Sequence, residues 1–313
     1  MFISQTLGVM FFMFAEEHIG KRKMFLGGIF LIAFGSFIMF LSQSMAMAVV
    51  GQVIMGFSTF FLMRFCVAAV SNATEPKLSE KFVSTLEGFY AFGGVVGPLA
   101  YTTIKNWRTV ILYFYCIDFA LLLVLCFIFL QDTPRYLLRK CTAAEATKSL
   151  NFIATINNKP PLEEEEVKQL MEEEEKYTEV KENMSPLDLF RYPSIRIPSI
   201  VFCLLVLCFD LLYFGHATIT DSIGLNPSLN LILMSGAEII GILVLNSIVH
   251  LIKRRLTSRI MALIGVATSL ILLLVRVPSN CEGCSLAIFQ IALVMVARFC
   301  TGFMFGLFFV AQS

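Results

Sequence analysis

The chain has 313 residues, of which 57% are hydrophobic and only 15% charged, with 31 Phe and 15 Met. Soluble domains carry about 25% charge and roughly 45–50% apolar residues, so this composition excludes an ordinary water-soluble globule and points to a membrane. The net charge of +1, with no basic patch interleaved with aromatics, gives no reason to expect a nucleic-acid partner.

A helix that spans hydrocarbon needs roughly 20 mostly apolar residues, and nine stretches qualify in chain order. They are Met1–Ala15, Met24–Gln43, Ala46–Ser71, Phe82–Ile104, Thr109–Gln131, Ile197–Gly215, Leu229–Ile252, Ile260–Val275 and Leu286–Gln312. The first has no basic residues ahead of it and ends at charges rather than at small residues, so it reads as a membrane helix and not as a cleaved leader. Strings such as "GGVVGP" and "FCTGFMFG" are rich in small residues that let helices approach closely in lipid. Basic residues fall in alternate connections: Lys21, Arg22 and Lys23; Lys77 and Lys81; a large group from Arg135 to Arg196; then Lys253, Arg254, Arg255 and Arg259. The stretches "SQSM", "HATITDSIGLNPS" and "PSNCEGCS" carry none, with Lys105 and Arg108 standing apart between the fourth and fifth segments. The excess of Lys and Arg puts the basic connections on the cytoplasmic side.

Residues 132–194 form the one long hydrophilic passage. Its first part offers Leu137, Leu138, Ala144, Leu150 and Ile153 for one helical face. Its second part has two runs of four Glu, with Val167, Leu170 and Met171 between them at helical spacing. Amphipathic, acidic helices on the inner membrane face are the simplest reading. Nine cysteines lie mostly inside apolar runs and behave as small hydrophobes. Cys281 and Cys284 form a lone Cys-x-x-Cys without further metal ligands nearby, and it reads as a polar turn. No nucleophile triad, phosphate loop or metal spacing occurs, so neither an enzyme, a cofactor nor a metal is expected.

Ionisable side chains in mid-span cost about 2.5–3.5 kcal/mol on insertion scales, so each asks for a reason. Arg64, Glu87, Asp118, Asp210, Glu238 and Arg298 are the six. Arg64 fits either an anionic group or a pairing with Asp118. Asp210, close to Tyr213 on the same helix, fits a water-lined wall or a ligand contact. Glu238 and Arg298 fit a structural ion pair or ligand contacts.

Ordered motifs then carry a family resemblance. "FAEEHIGKRKMF" and "HLIKRRLTSR" repeat a basic turn in the two halves, the trace of an internal duplication. The chain resembles a major facilitator superfamily transporter, most of all the organic cation, organic anion and carnitine transporter family. In the superfamily's Gly-x-x-x-Asp-Arg-x-Gly-Arg-Arg/Lys turn, Met13 stands for the first Gly, Glu17 for Asp and His18 for Arg, while Gly20, Lys21 and Arg22 fit. In the second copy His250 and Lys253 depart, and Arg254 and Arg255 match. Glu75 matches the acid at the inner end of the fourth family helix, and Arg108 in "NWRTV" the Trp-Arg that opens the sixth. "DTPRYLLRK" resembles the Glu-Ser-Pro-Arg-Trp-Leu signature, keeping Pro134, Arg135 and Leu137. Sugar porters share that turn, but their glutamine-rich seventh helix has no echo in "VFCLLVLCFDLLYFG".

The resemblance implies an all-α membrane protein with the major facilitator fold. Residues 1–131 would be a bundle of family helices two to six, residues 132–194 a cytoplasmic linker, and residues 195–313 a bundle of helices seven to ten. The first and last two family helices appear to be lacking, which leaves an incomplete chain or a reduced, non-transporting subunit with a protein partner as alternatives. The implied function is transport of a small organic ion (an organic cation, an anion or a carnitine-like solute) by alternating access, with a sugar or other solute as runner-up. Arg64, Tyr90, Asp118, Asp210, Tyr213, Glu238 and Arg298 are the candidate substrate contacts. Glu17, Gly20, Lys21, Arg22, Glu75, Arg108, Pro134, Arg135, Arg254 and Arg255 are the candidate gating and structural residues. A multi-pass location in the plasma membrane is implied, with an organelle membrane as the alternative.

Overall fold

The computed structural model describes residues 2–74, 76–179, 191–220, 226–248, 251, 254–275 and 285–312. As far as they are described, all nine apolar segments run in helices, and the described residues contain no strand. Within hydrocarbon a backbone must satisfy its own hydrogen bonds, which leaves the helix as the element these apolar runs can form without partners. Six helices are long and apolar enough to cross a membrane among the described residues. Two compact units result, residues 1–74 with 106–184, and residues 75–105 with 185–313. The fourth apolar segment therefore groups by packing with the second unit, whereas chain order alone assigned it to the first.

The first unit contains α1 (Phe2–Ile19), α2 (Lys21–Leu41), α3 (Met45–Ala73) and α5 (Trp107–Phe129). The last of these runs as a π segment over Leu112–Ile117. Between α1 and α2 the chain turns at Gly20, whose φ of 87° is left-handed and costs glycine little. Helices α2 and α3 cross where Gly35 meets Gly51. A methyl on Gly51 would stand 2.8 Å from the Gly35 carbonyl oxygen and 3.1 Å from Met39. Further along α3, Phe12 of α1 stacks on Phe61 and Phe25 of α2 on Phe65, each pair with centroids 4.2 Å apart. These rings join Met24, Ile29, Ile32 and Leu62 in one buried cluster. Phe30, Phe34 and Phe37 of α2 instead face outward at helical spacing, as suits a lipid-facing side.

The hydrophilic passage folds onto the same unit as α6 (Pro134–Lys140), α7 (Ala143–Ile156) and α8 (Glu164–Glu179). Pro134 takes the first helical position, where its missing N–H is no loss. Thr142 and Glu145 form a capping box at the start of α7. Leu137, Ala146 and Val167 are the buried centre, with Leu138, Cys141, Leu150, Leu162 and Met171 around them. Two expected core positions differ: Ala144 and Leu170 are exposed, because the inward faces of the two helices pass through Ala146 and Val167. Asn151 clamps the intervening loop, its amide donating to Leu162 O at 3.1 Å and its Oδ1 accepting from Leu162 N at 2.7 Å. Arg139 donates to Glu174 from both Nε (3.0 Å) and Nη2 (2.7 Å). Partial burial, with Glu145 and Asp132 nearby, pushes the Cys141 thiol above its ordinary value, so it stays protonated at neutral pH.

The second unit contains α4 (Pro76–Ile104), α9 (Pro193–Thr220), α10 (Pro227–Ile248), α11 (Arg254–Leu274) and α12 (Ser285–Gln312). Helix α10 packs on both α4 and α12, and α11 on α12. Leu245, Phe303, Met304 and Leu307 form one buried cluster, and Met234, Leu272, Ala287 and Val294 another.

Gly51→Leu should destabilise the protein by about 1–3 kcal/mol through overpacking at the α2–α3 crossing. Gly27→Ala, with nothing within 4 Å of its added methyl, should change stability by no more than about 0.5 kcal/mol. Thermal unfolding in detergent distinguishes the two.

Candidate functional site

In the second unit, three helices bring polar side chains to one buried point. Arg298 of α12 is 4% exposed and Glu238 of α10 is 3% exposed. Arg298 Nη1 lies 3.6 Å from Glu238 Oε2. The hydroxyl of Tyr213, on α9, donates to the same Oε2 at 3.2 Å. Its ring carries the guanidinium 3.8 Å from the centroid, within the range of a cation–π contact. Phe214 packs edge-on to Tyr213, and Phe305 closes at 5.7 Å.

Small residues admit this arrangement. A methyl on Gly302 would stand 2.7 Å from Glu238 Cγ, and one on Gly241 would stand 2.6 Å from the Phe299 carbonyl oxygen. The string "FCTGFMFG" thus lets α12 close on α10 with Arg298 one turn before Gly302. Helix α4 adds Tyr90, which is 53% exposed and lies within electrostatic reach of Glu238, Glu87 and Arg298. It also adds Glu87, which is 2% exposed and lies within electrostatic reach of Glu238.

The hydrogen bonding of the group is incomplete. Arg298 Nε and Nη1 and Glu87 Oε1 are buried without a hydrogen-bond partner. A desolvated group in that condition costs about 1–3 kcal/mol, more when charged, and a ligand with matching groups would offset this. Chemically, the group offers donors, an acidic oxygen and aromatic faces, with no nucleophile set against a base. No cluster able to hold a metal occurs among the described residues.

The other expected contacts are placed as follows. Arg64 and Asp118 belong to the first unit, both are exposed, and no ion pair joins them. Asp210 lies on α9, its side chain outside the described residues, as are the side chains of Glu17, Arg135, Arg254 and Arg255. Glu75, His250, Cys281 and Cys284 also fall outside the described residues. Arg22 holds the inner turn: its backbone N–H donates to Asp132 Oδ1 at 3.1 Å and its Nη2 to Phe127 O at 3.1 Å. Gly20 faces the Tyr136 hydroxyl, 2.5 Å from where a Cβ would sit. Lys21 shares this turn. Arg108 Nη2 donates to Ser42 O at 2.7 Å and its guanidinium covers Trp107, tying the start of α5 to the end of α2.

Two residues matter more than their sequence context suggested. His216, at the edge of an apolar run, reads as interfacial, yet it is 3% exposed and its Nε2 lies 3.1 Å from Ser269 Oγ of α11. Glu87 stood out as a mid-span charge but not as a ligand contact. Its signal was the stripe Ser84, Glu87, Ala91 and Gly94 along one face of α4.

Comparison with known proteins agrees with this architecture. The profile of the sugar (and other) transporter family matches residues 1–312. Mouse solute carrier family 22 member 21 is 28% identical over 218 residues, which is 67% of this chain and 36% of that protein. The chain thus matches little more than a third of the relative's length. With the apolar helices, the family match makes this a multi-pass, all-α membrane protein.

Arg298→Met alone should destabilise the protein by about 3–5 kcal/mol, because Glu238 is left as an unpaired buried charge. The double variant Glu238→Leu with Arg298→Met should recover most of that loss. The measurement is a double-mutant cycle on the unfolding midpoint in detergent.

Proposed function

We propose, on the premise that this chain belongs to the sugar (and other) transporter family, that it carries a small organic ion across a membrane by alternating access. The family is one of transporters rather than enzymes, and its members in the major facilitator superfamily move solutes through a midplane site. The observation that carries the finer reading is the buried Glu238–Arg298–Tyr213 group, in which the guanidinium is ion-paired through Nη1 and two of its nitrogens, Nε and Nη1, make no hydrogen bond.

A sugar site needs neutral donors and acceptors in number, and burying a full ion pair beside one would add desolvation cost without recognition. An organic ion uses that pair directly. Within this class the cation reading is favoured over the anion reading, since two buried acids, Glu87 and Glu238, lie within electrostatic reach of each other, Glu238 alone is paired with the guanidinium, and Tyr90 presents a further aromatic ring. The name of the mouse relative says only that it is a solute carrier and gives no substrate. The plasma membrane is the location we propose by resemblance to the organic ion transporter family.

Uptake into proteoliposomes of labelled tetraethylammonium, a carnitine-like zwitterion, an aromatic carboxylate and a hexose tests the proposal. The organic cation should enter in a saturable way and the hexose should not. Tyr213→Leu, which removes the ring under Arg298 and the hydrogen bond to Glu238, should lower cation uptake about tenfold. Saturable hexose uptake without ion uptake would shift the assignment to a sugar carrier. Absence of uptake for every solute would favour the non-transporting subunit.

A further inference from the structure

Among the described residues buried where α4, α10 and α12 meet, the charges do not balance. Helices α10 and α12 pack against α4, and each contains a single charged residue, Glu238 and Arg298 respectively. Those two pair with each other at 3.6 Å, and Glu238 also accepts from Tyr213. Glu87 is the acid left over. It is 2% exposed, its Oε1 has no hydrogen-bond partner, and the acid Glu238 is within electrostatic reach.

Among the described residues, no ion pair or hydrogen bond neutralises Glu87 Oε1. One turn earlier Ser84 is 1% exposed and its Oγ is also unpartnered. Ser84 lies 3.5 Å from where a methyl on Gly306 of α12 would sit, Gly88 faces Ile242 of α10, and Gly94 abuts Ser235 Oγ of α10. Tyr90, one turn later, contributes a phenol, and His216 of α9 is engaged with Ser269. An unpaired carboxylate in such a place is too costly to keep, so the group must hold either a proton or another positive charge.

We propose that Glu87 is the exchange residue of the site: it holds a proton when the site is empty and releases it when a monovalent organic cation binds. The proposal rests on the transport reading above and names its coupling ion. In the exchange the O–H bond of the Glu87 carboxyl breaks and the proton passes to bulk water. The solute's positive charge takes its place beside the carboxylate, and no electron is transferred. Glu238 remains paired with Arg298 throughout, so the site gains one cation and loses one proton at constant charge.

The test uses the full chain in weakly buffered detergent solution, with tetraethylammonium as the probe. Binding to the wild type should release about one proton per cation, and the Kd should fall about tenfold per pH unit gained while Glu87 remains protonated in the empty site. Glu87→Gln, isosteric with the protonated acid, should release no proton, lose the pH dependence and bind at least about tenfold more weakly at high pH. Glu87→Asp should restore proton release, and His216→Gln should leave it unchanged. Infrared spectra taken across a pH titration should give a carboxylic carbonyl band in the probe-free wild type that is lost when the probe binds and that Glu87→Gln lacks. Cation binding without proton release, or an infrared band that survives Glu87→Gln, overturns the exchange and leaves the transport reading standing. Failure of the wild type to bind any organic ion overturns both.

Discussion

A backbone inside hydrocarbon has no water to bond with, and that constraint governs everything else in this protein. It makes each apolar run a helix, and it removes the usual hydrophobic drive for helices to associate, because lipid is as apolar as leucine. Association then depends on close contact. The first unit obtains it where Gly35 meets Gly51 and where Phe12 and Phe25 stack on Phe61 and Phe65. The second obtains it where Gly241 and Gly302 let α10 and α12 touch.

The same dry interior raises the stakes for every charge. On the water-facing passage, Arg139 and Glu174 are partly exposed, and such a pair contributes at most about 1 kcal/mol. In the second unit the pair of Glu238 with Arg298 is nearly inaccessible, and its desolvation cost rivals its attraction. A buried pair of that kind is poorly explained as a stabiliser. On the proposed reading it is a prepared site, where guanidinium nitrogens that make no hydrogen bond would meet a charged solute. Glu87 is a further acid in the same dry cluster, and the proton proposed above would balance it.

The passage after the fifth apolar segment shows how local chemistry and tertiary packing divide the work. Its proline, capping box and basic helix end can all be read from "DTPRYLLRKCTAAE", since they act within a few residues of one another. The clamp of Asn151 on Leu162 could not be read, because an asparagine eleven residues away from its partner has no periodic signature. The choice of Ala146 over Ala144 as the buried alanine also escaped, since both fit an apolar face until the rotation of the helix against α8 is known. Likewise the hold of Arg22 on Asp132 spans 110 positions, and only the folded chain brings them together.

By itself the sequence determined the membrane class, the nine helical segments and the family, because hydropathy, charge bias and short motifs are properties of consecutive residues. It also marked six mid-span charges as costly, since that cost depends on residue type and depth alone. Only the tertiary structure decided which of them meet. It joined Glu238, Arg298 and Tyr213, left Arg64 and Asp118 apart, and grouped α4 with α10 and α12 so that Glu87 became the uncompensated acid. The reason is physical: an ion pair acts over a few ångströms, and which helix faces come that close is set by small residues at crossings that no single helix contains.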